Sequence, residues 1–107
     1  MIAKSKVSKS LSFNERCYVL LRKVPKGKVT TYKALANELG TAAYRAVGNA
    51  MNKNPHAPKT PCHRVINADG RLGGFASGLE NKKKLLKAEG VKIENEKIDL
   101  DKYGYFF

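Results

Sequence analysis

Apolar residues recur at helical spacing through the first half of the chain. Phe13, Cys17, Leu20, Leu21 and Val24 fall on one face. Ser12-Phe13-Asn14-Glu15 has the spacing of a capping box, in which hydroxyl and carboxylate satisfy each other's free amides, so a first helix is predicted to begin at Phe13. Pro25-Lys26-Gly27-Lys28 breaks it in a basic turn. Val29 is a single β-like step, and Thr30 or Thr31 is placed to cap a second helix over Tyr32 to Leu39, with Leu35, Ala36 and Leu39 inward. Gly40 closes that helix, and Thr41 is placed to cap a third over Ala42 to Asn52. Ala42, Ala43, Ala46, Val47, Ala50 and Met51 form the buried face of this third helix, with Arg45, Gly48, Asn49 and Asn52 opposite. Two short helices about a glycine turn are the helix-turn-helix pattern.

The second half changes period. Asn54-Pro55 ends the third helix, because proline disfavours helical backbone at the residue before it. Val65-Ile66 and Arg71-Leu72 flank Asp69-Gly70 and predict a small hairpin. Gly73 to Gly78 is a glycine-rich loop without the lysine or spacing of a phosphate loop, and reads as a mobile wall to a pocket. Ser77 and Glu80 repeat the capping-box spacing and predict a fourth helix through Leu79, Leu85, Leu86 and Ala88, closed by Gly90. The rings of Tyr103, Tyr105, Phe106 and Phe107 are expected to pack back on the core. The fold class read from this pattern is mainly α with a small β-hairpin, a winged-helix-like helix-turn-helix domain over residues 11–107. A flexible basic arm (Lys4, Lys6, Lys9) over residues 1–10 precedes it.

Composition narrows the partner. Against 9 Asp+Glu stand 21 Lys+Arg, a net charge of +12 on 107 residues, which favours an anionic polymer and most simply nucleic acid. No stretch has membrane-spanning length and the first residues lack the apolar run of a signal peptide, so the expected setting is intracellular with no membrane partner. Cys17, Cys62, His56 and His63 lack the close pairing of a structural zinc site. Both thiols are expected to be free, with no metal and no cofactor, in a monomer.

The chemistry concentrates in Thr60-Pro61-Cys62-His63-Arg64-Val65-Ile66. Proline fixes the entry and the β-branched pair anchors the exit, leaving a thiol and an imidazole on a stiff, non-helical segment. A thiol becomes a nucleophile as thiolate, which a neighbouring base provides. Adjacent residues on extended backbone point apart, so cooperation of Cys62 with His63 requires a bridging water or a turn in the chain. Taken alone, such a pair is more often a buried cysteine beside a surface histidine. Cys17, on an apolar helix face, reads as core. Glu89 falls in the last turn of the fourth helix, where the helix dipole disfavours an acid, which hints at a specific partner such as a histidine. The small, smooth third helix with its single arginine suits close approach to the minor groove of a duplex.

With Thr31-Tyr32, Arg45-Ala46-Val47-Gly48, Asn54-Pro55, Pro61-Cys62-His63-Arg64-Val65, the Gly74–Gly78 loop and Ala88-Glu89-Gly90 in that order, the chain resembles the O6-alkylguanine-DNA alkyltransferases. The resemblance runs from about Phe13 to Gly90. It implies a partner, double-stranded DNA containing O6-alkylguanine, and an intracellular protein that is nucleoid-associated when bound. It implies that Cys62 takes the alkyl group in one SN2 step and keeps it, with Glu89, His63 and a water generating the thiolate. It implies flipping of the nucleotide out of the stack, with Tyr32 crowding the phosphate and Arg45 filling the gap. Thr31, Ala43 and Arg64 join the implied DNA contacts, Asn54 is the implied hinge, and Tyr32, Val65, Phe75, Ala76 and Ser77 line the implied guanine pocket. The resemblance covers the DNA-binding and catalytic domain, without the N-terminal domain of larger members. Phe75 and Ala76 stand where members often have tyrosine and serine. The alternative is an alkyltransferase-like sensor, a class that binds alkylated DNA without repairing it and usually carries tryptophan at the cysteine position, and Cys62 points to the active class. A winged-helix transcription factor is the third option, and leaves Pro61–Val65 unexplained.

Overall fold

A computed structural model describes residues 11–55, 60–75 and 78–107. Helix α1 spans Phe13–Leu21 and starts where the capping box puts it, with the Ser12 hydroxyl accepting from the Glu15 amide at 3.1 Å. Its Cys17, Tyr18, Leu20 and Leu21 are buried. Strand β1 (Thr30–Thr31) leads directly into α2 (Tyr32–Glu38), and α3 spans Tyr44–Asn52. Helices α1, α2 and α3 pack on one another over a core that includes Leu20, Leu35, Val47 and Met51. The Tyr18 hydroxyl ties α1 to α3 by donating to the buried Ala50 carbonyl at 2.7 Å.

The rest of the chain forms a second core under α4 (Leu79–Ala88) and the short α5 (Leu100–Tyr103), made of Val29, Ile66, Leu72, Leu86, Val91 and Ile98. Strand β2 (Val65–Ile66) lies between the cores. Successive strand side chains point to opposite faces, so Val65 belongs to the first core and Ile66 to the second.

Several expectations are corrected here. Val65–Ile66 does not form a hairpin with Arg71–Leu72; it pairs in parallel with β1, Thr30 opposite Val65 and Thr31 opposite Ile66. A strand buried on both faces suits a parallel partner, and the α2–α3 pair supplies the long crossover that parallel pairing requires. Asp69-Gly70 does turn the chain, with Asn67 donating to the Arg71 carbonyl, but Arg71 then bridges to Lys97 instead of continuing a ladder. Helix α3 starts at Tyr44, two residues later than expected. Thr41 accepts from the Ala43 amide at 3.1 Å and so holds the approach to the helix, leaving Ala42 and Ala43 exposed. Helix α4 is preceded by Gly78 at φ 99° without a side-chain cap. Tyr103 and Tyr105 pack against the cores, whereas Phe106 is 56% exposed and Phe107 37%. The basic arm over 1–10, Ala76 and Ser77 lie outside the described residues. Among the described residues no helix is long and apolar enough to cross a membrane.

Gly70 locks the turn to the second core: its carbonyl accepts from the Ile98 amide, and a Cβ at its position would sit 2.8 Å from the Ile98 carbonyl oxygen at φ +92°. Gly70→Ala is therefore expected to destabilise the fold by about 1–3 kcal/mol. Urea denaturation measures this, and an unchanged midpoint would contradict the turn's role as an anchor.

Candidate active site

Pro61 leads into a single 3-10 turn over Cys62–Arg64, which then opens into β2. The turn is pinned from outside. The Thr60 carbonyl accepts from the Asn54 amide at 2.6 Å, and the Thr60 hydroxyl accepts from Arg22 Nε at 2.9 Å. Asn54 thus clamps the backbone just before the turn. The extended geometry assumed for this segment is replaced by one in which consecutive side chains diverge by about 120° instead of opposing. Cys62 is 7% exposed, and His63 is buried beside it in sequence.

His63 Nε2 lies 3.0 Å from Glu89 Oε2. Glu89 is the residue that ends α4, so the acid placed against the helix dipole does find a histidine. It also finds Arg64, which donates from Nε to Oε1 at 2.9 Å and from Nη2 to Oε2 at 2.6 Å, while Nη1 donates to the Val24 carbonyl at 2.8 Å. Burial by itself pushes the Glu89 carboxyl up, but the Arg64 and His63 hydrogen bonds outweigh it and hold the group below its ordinary value. Burial also pushes His63 down, and the attraction of Glu89 offsets this only in part. The pair at neutral pH is therefore a carboxylate and a neutral imidazole. Nε2 carries the proton donated to Glu89, which leaves Nδ1 as the basic nitrogen.

Arg64, expected among the DNA contacts, clamps Glu89 in this structure. Its planar fork matches the carboxylate edge, and among the described residues its three hydrogen bonds are internal. Thr31, also expected among the DNA contacts, has an internal task for its side chain. Its side chain is buried and its hydroxyl accepts from the Ala34 amide at 3.0 Å, capping α2 and fixing the direction of Tyr32. Ala43 and Arg45 are exposed at the start of α3. Tyr32 and Arg45 line an open cavity of about 740 Å³ between α3 and the Asn67–Asp69 turn, with Gly48 and Gly74 in its wall. Burial raises the Tyr32 phenol, as would a Cys62 thiolate. The Val65 side chain lies in the core, and Phe75 packs on the same core from the loop. Among the described residues no cluster of His, Cys, Asp and Glu has the makings of a metal site. Cys17 is core as expected, its thiol pushed up to about 11 by burial.

Lys82 joins these residues without a motif to announce it. Its side chain is fully buried, and Nζ donates to the carbonyls of Val65 at 2.7 Å, Leu72 at 2.5 Å and Gly74 at 3.1 Å. It also stands 5.9 Å from the Phe75 ring centroid. One ammonium thus ties β2 to the glycine-rich loop and holds the pocket wall in place. Burial lowers its pKa to about 8, an effect that a Cys62 thiolate would oppose. Asn81-Lys82-Lys83-Lys84 reads as a solvated run; the available signal was the i, i+4 relation of Lys82 to buried Leu86.

The family model for the DNA binding domain of 6-O-methylguanine DNA methyltransferase matches residues 12–91. A methylated-DNA–protein-cysteine methyltransferase of Sulfolobus acidocaldarius is 51% identical over 83 residues, which are 78% of this chain and 52% of the relative. The chain spans about half the length of the curated methyltransferases it matches. Among solved structures, O6-methylguanine-DNA methyltransferase from Pyrococcus kodakaraensis is similar with a TM-score of 0.69 and 46% identity, covering 76% of this chain and 47% of that one. Schizosaccharomyces pombe Atl1, in complex with damaged DNA containing O6-carboxymethylguanine, gives a TM-score of 0.78 at 32% identity, covering 87% of this chain and 94% of that one. The family model spans most of the chain, and the chain belongs to the 6-O-methylguanine DNA methyltransferase family, whose DNA-binding domain it carries.

Proposed function

We propose that this protein repairs O6-alkylguanine in duplex DNA by moving the alkyl group to its own Cys62. The observation that supports this most directly is the part-buried chain from His63 through Glu89 to Arg64, next to a cysteine on a pinned turn. His63 Nδ1 takes the Cys62 proton, directly or through one water, and Glu89 stabilises the imidazolium that results. The thiolate attacks the alkyl carbon in line with the carbon–O6 bond. A sulfur–carbon bond forms, the carbon–O6 bond breaks, and the electron pair leaves on guanine, which then recovers a proton. The thioether is not cleaved, so each molecule acts once. The thiol, base and positive charges the step needs all belong to the chain, and no cofactor enters it.

Guanine O6 is out of reach inside a duplex, so the nucleotide is turned out of the stack past Tyr32 and towards Cys62. Arg45, exposed at the first turn of α3, fills the gap in the stack. The small residues around it let the helix sit close to the minor groove, and the charge of +12 supplies sequence-independent affinity. The backbone at Val65 and over Phe75, Ala76 and Ser77 lines the guanine pocket, and Asn54 positions the turn. The protein works as a monomer in the compartment that holds the genome.

The test is intact-protein mass spectrometry after incubation with a duplex carrying one O6-methylguanine. A gain of one methylene mass, mapped to Cys62 by peptide digestion, is expected. No gain together with tight, lesion-selective binding would make the protein a sensor, the reading that its likeness to Atl1 favours.

A further inference from the structure

Helix α3 carries one large side chain that the repair step above leaves without a task. Tyr44, its first residue, is 45% exposed and stands directly before Arg45. Among the described residues its hydroxyl makes no hydrogen bond and its ring has no aromatic or cationic partner. It lines the same cavity as Tyr32 and Arg45. Around it stand small residues, Ala42 and Ala43 in the approach to the helix and Ala46 and Gly48 within it. At Gly48, one turn on, even an added Cβ would meet nothing within 4 Å, so the face is flat there. Tyr44 is the bulk that rises from this flat face.

We propose that Tyr44 is a positioning residue for nucleotide flipping, a second wedge beside Arg45. The inference rests on the reading that the chain repairs duplex DNA. Consecutive helical residues diverge by about 100°, so Tyr44 and Arg45 cannot enter the same slot. With Arg45 in the vacated position, the Tyr44 ring meets the base step or deoxyribose that flanks it. A ring needs no particular base there, because every base offers a π-face and every sugar an apolar edge. Apolar side chains set against a base step open it and bend the duplex, which favours the extrahelical nucleotide. Tyrosine suits an exposed wedge: its ring is stiff, and its hydroxyl stays hydrated at the groove edge while the ring is covered.

The test compares wild type, Tyr44→Ala, Tyr44→Phe and Arg45→Ala. Three readouts apply: transfer from an O6-methylguanine duplex, transfer from free O6-benzylguanine, and fluorescence of 2-aminopurine placed next to the lesion. Tyr44→Ala is expected to slow duplex transfer about tenfold more than it slows reaction with the free base. It is also expected to reduce the 2-aminopurine rise that reports unstacking. Tyr44→Phe, which keeps the ring, is expected to restore duplex transfer to within about twofold of wild type. If Tyr44→Ala matches wild type on the duplex while Arg45→Ala does not, Tyr44 is no wedge and the repair function still stands. Equal loss on both substrates would assign Tyr44 a structural role and overturn the proposal. Wild type inert towards both substrates would remove the repair reading itself.

Discussion

Glu89→Gln is expected to slow alkyl transfer about a hundredfold or more and to remove an acid-sensitive component of stability. The amide keeps the shape of the carboxyl but carries no charge. His63 then loses the group that stabilises its protonated form, and a positioned base of this kind contributes on the order of a hundredfold or more. Arg64 keeps its contact with Val24 but loses its counter-ion in a largely enclosed site. That loss is expected to lower stability by about 2 kcal/mol. Glu89 is held below its ordinary value of 4.5 in the folded protein. The folded state therefore binds fewer protons than the unfolded chain just below that value. The resulting stabilisation is fully present above pH 4.5 and is lost as pH falls through the folded-state value, in the wild type but not in Glu89→Gln. His63 is lowered from 6.5, so the acid limb of the wild-type rate profile is expected below pH 6.5. Urea titrations and single-turnover rates across pH read both effects. A Glu89→Gln protein with wild-type transfer would overturn the role given to His63.

Lys82→Met is the second large effect. Methionine reproduces the length of the stem and supplies no donor. The carbonyls of Val65, Leu72 and Gly74 then lose the group that joins them. Buried acceptors left without donors cost about 1–3 kcal/mol each, while removal of a buried charge returns part of that loss. The expected net destabilisation is about 2–4 kcal/mol. Transfer is expected to fall further than stability explains, because the glycine-rich loop is no longer held to β2. The pH dependence carries a signature. Lys82 is lowered from 10.5 to about 8, so between those values the unfolded chain binds the proton that the folded protein has released. Stability on this account rises with pH across that window. Cys17, raised from 9.0 to about 11, acts in the opposite direction nearby, so the difference between wild type and Lys82→Met isolates the lysine. A Lys82→Met protein with unchanged denaturation midpoint and transfer rate would show that the loop holds itself.

Signals confined to a few neighbouring residues were legible in the sequence. Ser12 and Glu15 placed the start of α1, and Thr31 capped α2 as its position suggested. Glu89 betrayed a partner because it defied the dipole of its own helix, and that partner proved to be His63. What escaped depended on long-range geometry. The partner of Val65–Ile66 was hidden because it lies in β1, on the far side of α2 and α3. The Glu89 contact of Arg64 was hidden as well, since its two ends lie 25 residues apart and only the fold brings them together. Lys82 was obscured by the lysines that follow it, since a charged run announces solvent and a single buried member leaves little trace.

The register of the two short strands also acts as a ruler. Thr31 sits opposite Ile66, Tyr32 follows Thr31 without a spacer, and the Cys62 turn runs into Val65 without one either. The ring that lines the open cavity and the Cys62 sulfur are thus counted off from the same few backbone hydrogen bonds. A slip of one residue in either strand would offset one against the other by about 3.3 Å, roughly the length of a hydrogen bond, so loop insertions are harmless to this alignment only where they leave that pairing untouched.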